Sequence, residues 1–409
     1  MRVALATFGC KLNQYETQQM IQQLIKSGFE IDSIDKQCDF YIINSCAVTS
    51  KASKESRMLA KKLSKIGKVI YTGCDSYLEE GLKSQFILVG NSYKTRIVEV
   101  IKNNISDISE ETKNYPLNEI LTQYLGKSRA FIKIQEGCNN HCTYCIIPKL
   151  RGKERDKDPN LIIEEINNLK ERFSEIVLTG TNIGSYKDFK KLLKRIDSLT
   201  GDFRIRISSI EPMYVDKELI DIIASGRFAK HLHIPLQSGS DKILRLMGRD
   251  YKTKQYQEIV EYCHKKDIFV GTDIIVGFFN ETEEEFEKTY KFIEELPLSF
   301  GHVFSYSKRP STAAANIKGY LPKGPTVRER NRLLRELFAK KRRESMLSKV
   351  KSECEVIVES TKIRRKNKLF FKAISSWYFP VLVEKYKKGV AKGIIESADD
   401  SFAYLRWQG

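Results

Sequence analysis

One short stretch, Gly137-Cys138-Asn139-Asn140-His141-Cys142-Thr143-Tyr144-Cys145, constrains this chain more than any other. It follows the apolar run Phe131-Ile132-Lys133-Ile134-Gln135 and reads as a loop leaving a strand. Thiols at Cys-x3-Cys-x2-Cys spacing can wrap one face of a cubane and ligate three irons of a four-iron cluster, which leaves the fourth iron without a cysteine ligand. An open metal position is where chemistry happens, as at catalytic zinc. Structural zinc is the competing reading, but zinc motifs pair two Cys-x2-Cys or Cys/His knuckles, and no second knuckle follows here.

Composition narrows the class. A chain of 409 residues can bury two or three cores. The formal net charge of +18 points to a polyanionic partner, most simply a nucleic acid, against the alternative of a merely solvated basic surface. No run approaches a membrane span, and Met1 to Thr7 reads as a strand rather than a signal peptide, so a cytoplasmic protein with no membrane partner is expected. Nine cysteines on such a chain favour metal ligation and free thiols over disulfides.

Residues 1–125 repeat a β-α unit in which three apolar strands each run into a cysteine. These are Val3 to Phe8 before Gly9-Cys10, Phe40 to Ile43 before Asn44-Ser45-Cys46, and Val69 to Tyr71 before Thr72-Gly73-Cys74. Helices are predicted over Tyr15 to Lys26 and Ala52 to Lys65, stopped by Gly28 and Gly67. Alternating strands and helices make a parallel, doubly wound sheet whose ligand crevice lies beyond the carboxyl ends of the strands. Cys10, Cys46 and Cys74 are therefore expected to meet there, as a second metal triad or as thiols packed at strand ends. Cys38, Cys263 and Cys354 read as core or incidental thiols, and Asn103 to Lys127 as a polar tether.

The loop at Cys138 resembles the cluster motif of the radical S-adenosylmethionine enzymes. That resemblance implies an iron that chelates the amino and carboxylate groups of S-adenosylmethionine, and an electron that cleaves its sulfonium to a deoxyadenosyl radical. Tyr144 matches an aromatic position near the adenine; a packing aromatic is the other reading. Thr7-Phe8-Gly9-Cys10-Lys11-Leu12-Asn13, Asn44-Ser45-Cys46-Ala47-Val48-Thr49 and Gly73-Cys74 are similar to the N-terminal domain of the radical S-adenosylmethionine methylthiotransferases. In that family the matching cysteines hold an auxiliary four-iron cluster that takes part in sulfur delivery. Two four-iron clusters and S-adenosylmethionine are thus the implied cofactors. Gly-Cys-Lys-Leu-Asn resembles the branch acting on N6-threonylcarbamoyladenosine beside the tRNA anticodon. The isopentenyladenosine branch and the ribosomal-protein branch carry other residues after the cysteine. Asp75 departs from the small or aromatic residue expected after Cys74.

Residues 126–348 alternate strands with amphipathic helices. The strands are Phe131 to Gln135, Glu175 to Leu178, Arg204 to Ser208, His231 to Leu236, Val270 to Val276 and His302 to Tyr306. Six β-α units suit a partial (β/α)6 barrel with its site at the carboxyl mouth. Strand ends there are small and polar, as in Thr179-Gly180-Thr181-Asn182, Ser208-Ser209-Ile210-Glu211-Pro212 and Gln237-Ser238-Gly239-Ser240. They are similar to the family's strand-end motifs, which carries over Gly180, Ser209, Glu211 and Gln237 as cofactor-pocket positions. His231 and His233 share one strand face and read as barrel-lining. The family's Gly-Phe-Pro-Gly-Glu-Thr loop is here Gly277-Phe278-Phe279-Asn280-Glu281-Thr282, which puts its geometry in question. Val327 to Val350 reads as a basic helix, lying either along a phosphate backbone or with a solvated outer face.

Residues 349–409 change period. Glu355 to Glu359, Lys368 to Ile374, Tyr378 to Glu384, Val390 to Glu396 and Ser401 to Trp407 make a small β-barrel rich in Lys and aromatics. By length and position it resembles the family's C-terminal RNA-binding (TRAM-like) barrel, so tRNA is the implied partner. An electron donor such as flavodoxin or ferredoxin and a sulfur source are implied too. The rivals are the same chemistry on N6-isopentenyladenosine or on a ribosomal protein aspartate and, in another class, a non-catalytic iron-sulfur protein that binds RNA.

Overall fold

The computed structural model describes residues 1–78, 80–126, 128–365 and 367–408. Lys127, at the end of the expected tether, and Gly409 lie outside the described residues.

The first unit contains β1 (Arg2–Thr7), α1 (Lys11–Lys26), β2 (Glu30–Asp32), β3 (Phe40–Ser45), α2 (Ser50–Leu63), β4 (Lys68–Gly73), β5 (Ile87–Leu88) and α3 (Ile97–Asn103). Its five strands pair in parallel in the order β2-β1-β3-β4-β5. This is a doubly wound order whose direction switches between β1 and β3. Register ties the carboxyl ends together, with Thr7 opposite Asn44 and Ser45 opposite Gly73. The three following cysteines therefore emerge on one edge. Gly28 has the left-handed φ of +80° that a helix stop needs. Gly67 acts differently: a Cβ there would lie 2.6 Å from the Cys38 carbonyl, so close backbone approach explains it.

The expected tether is no loose linker. Gln18 and Gln22 of α1 bond backbone groups of Leu125, Ile120 and Thr122, and Leu117, Leu121 and Tyr124 are buried. A polar composition hid it, because a strap held by glutamine amides needs few apolar residues.

Next come β6 (Ala130–Lys133), β7 (Gln135–Glu136), α4 (Ile147–Arg151), β8 (Arg155–Asp156), α5 (Pro159–Leu169), β9 (Glu175–Thr179), α6 (Phe189–Asp197), β10 (Arg204–Ile207) and α7 (Lys217–Ser225). They are followed by β11 (His231–His233), α8 (Asp241–Leu246), α9 (Thr253–Lys265), β12 (Phe269–Val276), α10 (Glu283–Glu295), β13 (Leu298–Ser305) and α11 (Gly324–Leu347). Two parallel sheets, β10-β9-β6 and β11-β12-β13, are joined by bridges from Ile205 to Phe228 and Ser209 to His233. The result is the partial six-stranded barrel, with one large apolar core between strands and helices. Cys263 packs in that core.

The last unit is a closed barrel, β14-β15-β16-β18-β17, built from β14 (Glu353–Arg365), β15 (Lys368–Ser375), β16 (Pro380–Val383), β17 (Ala391–Ala398) and β18 (Ala403–Trp407). All five expected strands are present. Arg204 and Arg206 donate to the carbonyls of Glu355, Ile374, Ser375 and Ser376, which docks this barrel against the amino ends of the central strands. Among the described residues, no helix is long and apolar enough to cross a membrane.

Candidate active site

The loop after β7 is shaped by its backbone. Gly137 takes φ +81°, and a Cβ there would lie 2.0 Å from the Lys153 carbonyl oxygen, so no side chain fits. Cys145 N donates to Cys142 O at 3.0 Å, closing a turn, while Thr143 is tied to the end of α8 through Met247 O (2.9 Å) and Leu246 O (2.8 Å). Cys138, Cys142 and Cys145 are all half-buried. Burial pushes the Cys138 thiol up to about 11 and Cys145 to about 12, with Cys142 adding its own repulsion to both. At Cys142, which burial also pushes up, Arg249 acts the other way: its Nη1 donates to Cys142 Sγ at 3.1 Å, and its Nη2 pairs with Glu211.

The other predicted positions follow the ends of the central strands. Gly180 ends β9, where a Cβ would meet Gln135 O at 2.8 Å. Next to it, Thr181 Oγ1 and Asn182 Oδ1 are buried without a partner. Ser209 is exposed beside His233, and Glu211 is half-buried on Arg249. Gln237 takes φ +67°, and its backbone bonds Asp273 O and Ile275 N. Tyr144 lies edge-on to Phe278, with ring centroids 6.4 Å apart, so its packing role is real.

The second triad is assembled by the sheet. Asn13 Nδ2 donates to Phe8 O and Ser45 O, both at 2.8 Å, and so pins the ends of β1 and β3 together. Gly9, at φ +93°, leaves the space where a Cβ would stand 2.6 Å from Cys46 Sγ. Thr49 then caps α2 by accepting from Ala52 N. Cys46 and Cys74 are buried. Cys10 is open to solvent by surface area yet crowded by protein, as on the wall of a cleft, and desolvation pushes its thiol up. The Cys46 thiol is pushed up to about 12 by burial and then by Cys74 and Cys10. The three sulfurs therefore lie within electrostatic range of one another. Asp75, unusual at its position, accepts from Arg57 Nε at 2.6 Å and Tyr71 Oη at 2.7 Å, and so holds α2 onto β4.

Arg151 joins the two triads. From the helix that follows the first cysteine loop, it donates to Cys74 Sγ (3.3 Å), Asn13 Oδ1 (2.6 Å) and Glu136 Oε1 (2.8 Å), and pairs with Glu16. Burial opposes the charge on Glu16, but Arg151, Lys94 and Lys133 outweigh it and hold its carboxyl down to about 2.

The residues fit two clusters better than zinc. Four-coordinate zinc with bonds of about 2.3 Å brings its sulfurs to roughly 3.8 Å. Among the described residues the trio whose ligand atoms all crowd within 4.8 Å is His233, Asp273 and His302; neither cysteine triad is that tight. Each triad also has an arginine donating to one sulfur, which suits thiolates on a metal. The unpartnered Thr181 and Asn182 oxygens fit a polar cofactor beside the first triad.

Inside the barrel, the histidines of β11 are joined by Asp273 on β12 and His302 on β13, which the sequence reading did not single out. His233 Nε2 and His302 Nδ1 both approach Asp273 Oδ1, at 2.9 and 3.1 Å. These two bonds hold the Asp273 carboxyl down against its burial. His231 is buried, stacked on Tyr378 with centroids 4.6 Å apart, as the barrel-lining reading required. Asp273 was legible as a polar residue inside an apolar strand. Arg151 and Arg249 gave no such signal, since an arginine beside a turn usually faces solvent.

Comparison with known proteins agrees with this geometry. Residues 132–293 match the radical SAM superfamily, and residues 2–87 match an uncharacterized protein family, UPF0004. The structure of the radical S-adenosylmethionine methyltransferase TsrM from Kitasatospora setae, with cobalamin and a [4Fe-4S] cluster bound, is similar at TM-score 0.59 and 14% identity. It covers 76% of each chain, a likeness of fold. The threonylcarbamoyladenosine tRNA methylthiotransferase MtaB of Aquifex aeolicus is 36% identical over 84% of this chain and 89% of its own. A tRNA-2-methylthio-N(6)-dimethylallyladenosine synthase of Thermodesulfovibrio yellowstonii is 35% identical over 78% and 79%. Fold and site thus define a radical S-adenosylmethionine enzyme. Within that class, the chain belongs to the methylthiotransferases. It is a transferase whose cofactors are S-adenosylmethionine and two four-iron clusters.

Proposed function

We propose that this enzyme places a methylthio group on C2 of N6-threonylcarbamoyladenosine, beside the anticodon of tRNA. The observation that carries the reading is Arg151, which bonds Cys74 of the second cysteine triad from the helix following the first and so ties the two loops together. Relatives named for tRNA, the residues Gly9 to Asn13, and the net charge of +18 support the substrate class. The isopentenyladenosine enzyme is nearly as similar in identity, so the branch rests on few positions.

In this reading Cys138, Cys142 and Cys145 hold the radical-generating cluster, and Cys10, Cys46 and Cys74 the auxiliary one. Tyr144, Gly180, Ser209, Glu211 and Gln237 surround S-adenosylmethionine. When bound, the cofactors supply one-electron chemistry strong enough to take hydrogen from an aromatic carbon, together with a methylated sulfur. The chain's own work is placement. Arg249 orients Cys142 and Glu211 together, Thr143 fixes the loop to α8, and the sheet register delivers the second triad to the opening. The C-terminal barrel supports RNA binding with Trp407, under Lys387 at 4.7 Å, in a groove shared with Lys368, Phe370, Tyr404 and Arg406. On α11, Arg332 is paired with Glu329 and Glu336, which favours the solvated outer face for that residue.

The same reading divides the chain near residues 125 and 348, locates it in the cytoplasm, and requires an electron donor such as flavodoxin or ferredoxin and a renewable sulfur source. Mass spectrometry of tRNA from a deletion strain tests it. Loss of the methylthio group from threonylcarbamoyladenosine alone is expected, and loss from isopentenyladenosine instead would reject the branch. Anaerobic reconstitution adds a count: about eight irons per chain, falling to about four when Cys10, Cys46 and Cys74 become Ala. Bound zinc, or RNA binding with no cleavage of S-adenosylmethionine, would favour a non-catalytic metalloprotein.

A further inference from the structure

The foot of the barrel carries more positive charge than it neutralises. Glu175 is shared by Arg129 (3.3 Å), Arg204 (2.6 Å) and Arg206 (2.8 Å), so one carboxylate serves three guanidinium groups. Lys11 opens α1 immediately after Cys10 and reaches the same region, within electrostatic range of Arg206, Arg129 and Glu175. It is half-buried, and its ammonium stands over the Tyr378 ring, 5.9 Å from the centroid, with no carboxylate in ion-pair range among the described residues. A lysine placed there has no anion to itself.

A second observation concerns the same place. His231 is 3% exposed, yet neither ring nitrogen has a hydrogen-bond partner. Its ring touches both Phe300 (5.5 Å) and Tyr378 (4.6 Å), which also touch each other (5.7 Å), and Tyr378 is held there in a left-handed conformation at φ +72°. Buried imidazole nitrogens without partners are rare in a finished interior. Above His231 the wall continues through Phe300, His233 and His302 to Phe304, which is exposed. Flat rings lead from the opening down to a cationic, hydrogen-bonding floor.

Such a set of rings and charges suits a flat base bearing an anionic side chain. Its geometry agrees with the chemistry at C2. For a C–S bond to form, C2 must stand at the auxiliary site, next to Cys10. The ureido N–H of a threonylcarbamoyl group can donate to ring N1, closing a six-membered ring, which swings the threonyl carboxylate to the C2 edge of the purine. Lys11, the residue after Cys10, can reach a carboxylate on that edge. An isopentenyl group offers no charge there and would leave the lysine desolvated and unpaired.

We propose that Lys11 is the specificity-determining residue, its ammonium binding the carboxylate of the N6-threonylcarbamoyl side chain. This rests on the substrate reading above and adds the contact that selects it. The test uses the reconstituted two-cluster enzyme and three anticodon stem-loops, carrying threonylcarbamoyladenosine, its carboxylate converted to a primary amide, or isopentenyladenosine. Dissociation constants and methylthiolation rates are both read.

The wild-type enzyme is expected to prefer the acid over the amide by at least about tenfold in affinity. Lys11→Met is expected to lower kcat/KM for the acid by about 100-fold and to level acid and amide, and Lys11→Arg to keep the preference. Iron per chain reports whether each variant folds. The acid-against-amide comparison needs no variant, so it stands even if Lys11→Met fails to assemble. Equal handling of acid and amide by the wild type, or an undiminished preference in folded Lys11→Met, overturns the proposal. Wild-type turnover of the isopentenyl RNA and not the threonylcarbamoyl RNA overturns the substrate reading as well, and is visible before any variant is made.

Discussion

The two cysteine triads are built by opposite means. Cys138, Cys142 and Cys145 share one loop, held by a glycine that tolerates φ +81° and by two bonds from Thr143. Cys10, Cys46 and Cys74 come from three strand ends brought together by parallel register, an asparagine clamp and a glycine cradle. A local triad depends on a few backbone torsions, whereas a distributed one depends on the whole sheet. The first should survive damage elsewhere; the second should report it.

Arg151 is where that difference is tested hardest. Arg151→Met leaves Glu16 and Glu136 buried beside each other with one fewer cation. Breaking one partner of a buried charge network costs about 3–5 kcal/mol. The expected result is a large drop in thermal stability and preferential iron loss from the distributed triad, read by unfolding and by iron per chain. Equal iron loss from both triads would remove the distinction. The same network sets a pH dependence. Because the folded Glu16 carboxyl is held down to about 2 from an ordinary value near 4.5, its stabilisation is complete above pH 4.5 and fades as the pH falls toward 2. The stability gap between wild type and Glu16→Gln should therefore narrow below pH 4.5. A constant gap would mean that Glu16 acts through packing alone.

Arg249 probes the local triad. It donates to Cys142 and pairs with Glu211, so Arg249→Gln removes a charge beside a proposed ligand without touching the loop backbone. Partners of this kind typically change metal affinity or activity 10–100-fold. Deoxyadenosine release should fall by about that factor, while the distributed triad keeps its iron. An unchanged rate would make Arg249 a packing residue.

This contrast also explains what could be read without coordinates. The local triad is a spacing, so the chain displays it directly. The distributed one was legible only because each cysteine follows an apolar strand, and strands in a parallel sheet end on one edge. The six central strands and the five of the closed barrel were legible for the same periodic reason. Arg151 and Arg249 were not, because their partners lie far along the chain: Arg151 to Cys74 spans 77 residues and Arg249 to Cys142 spans 107. The strap over residues 103–126 was hidden by its polarity, since its anchors are side-chain amides on α1.

The smallest expected effect concerns a place where both kinds of information meet. Where the family has Gly-Phe-Pro-Gly-Glu-Thr, this chain has Asn280 in the left-handed region at φ +59°, a conformation asparagine tolerates better than most residues. The loop is rebuilt around it. Asn280 Oδ1 accepts from Tyr320 N at 3.0 Å, Glu281 accepts from Gly277 N at 2.7 Å and from Arg330 at 2.8 Å, and Thr282 caps α10. Asn280→Gly trades that bond, worth about 1 kcal/mol, for backbone ease, so stability should change by less than about 1 kcal/mol. Asn280→Ala loses the bond and keeps the strain, at a cost of about 1–2 kcal/mol for the left-handed backbone alone. Denaturant midpoints of the two variants separate the contributions. If Ala proves as stable as Gly, the loop is held by Glu281 and Arg330, and the backbone at Asn280 carries no strain.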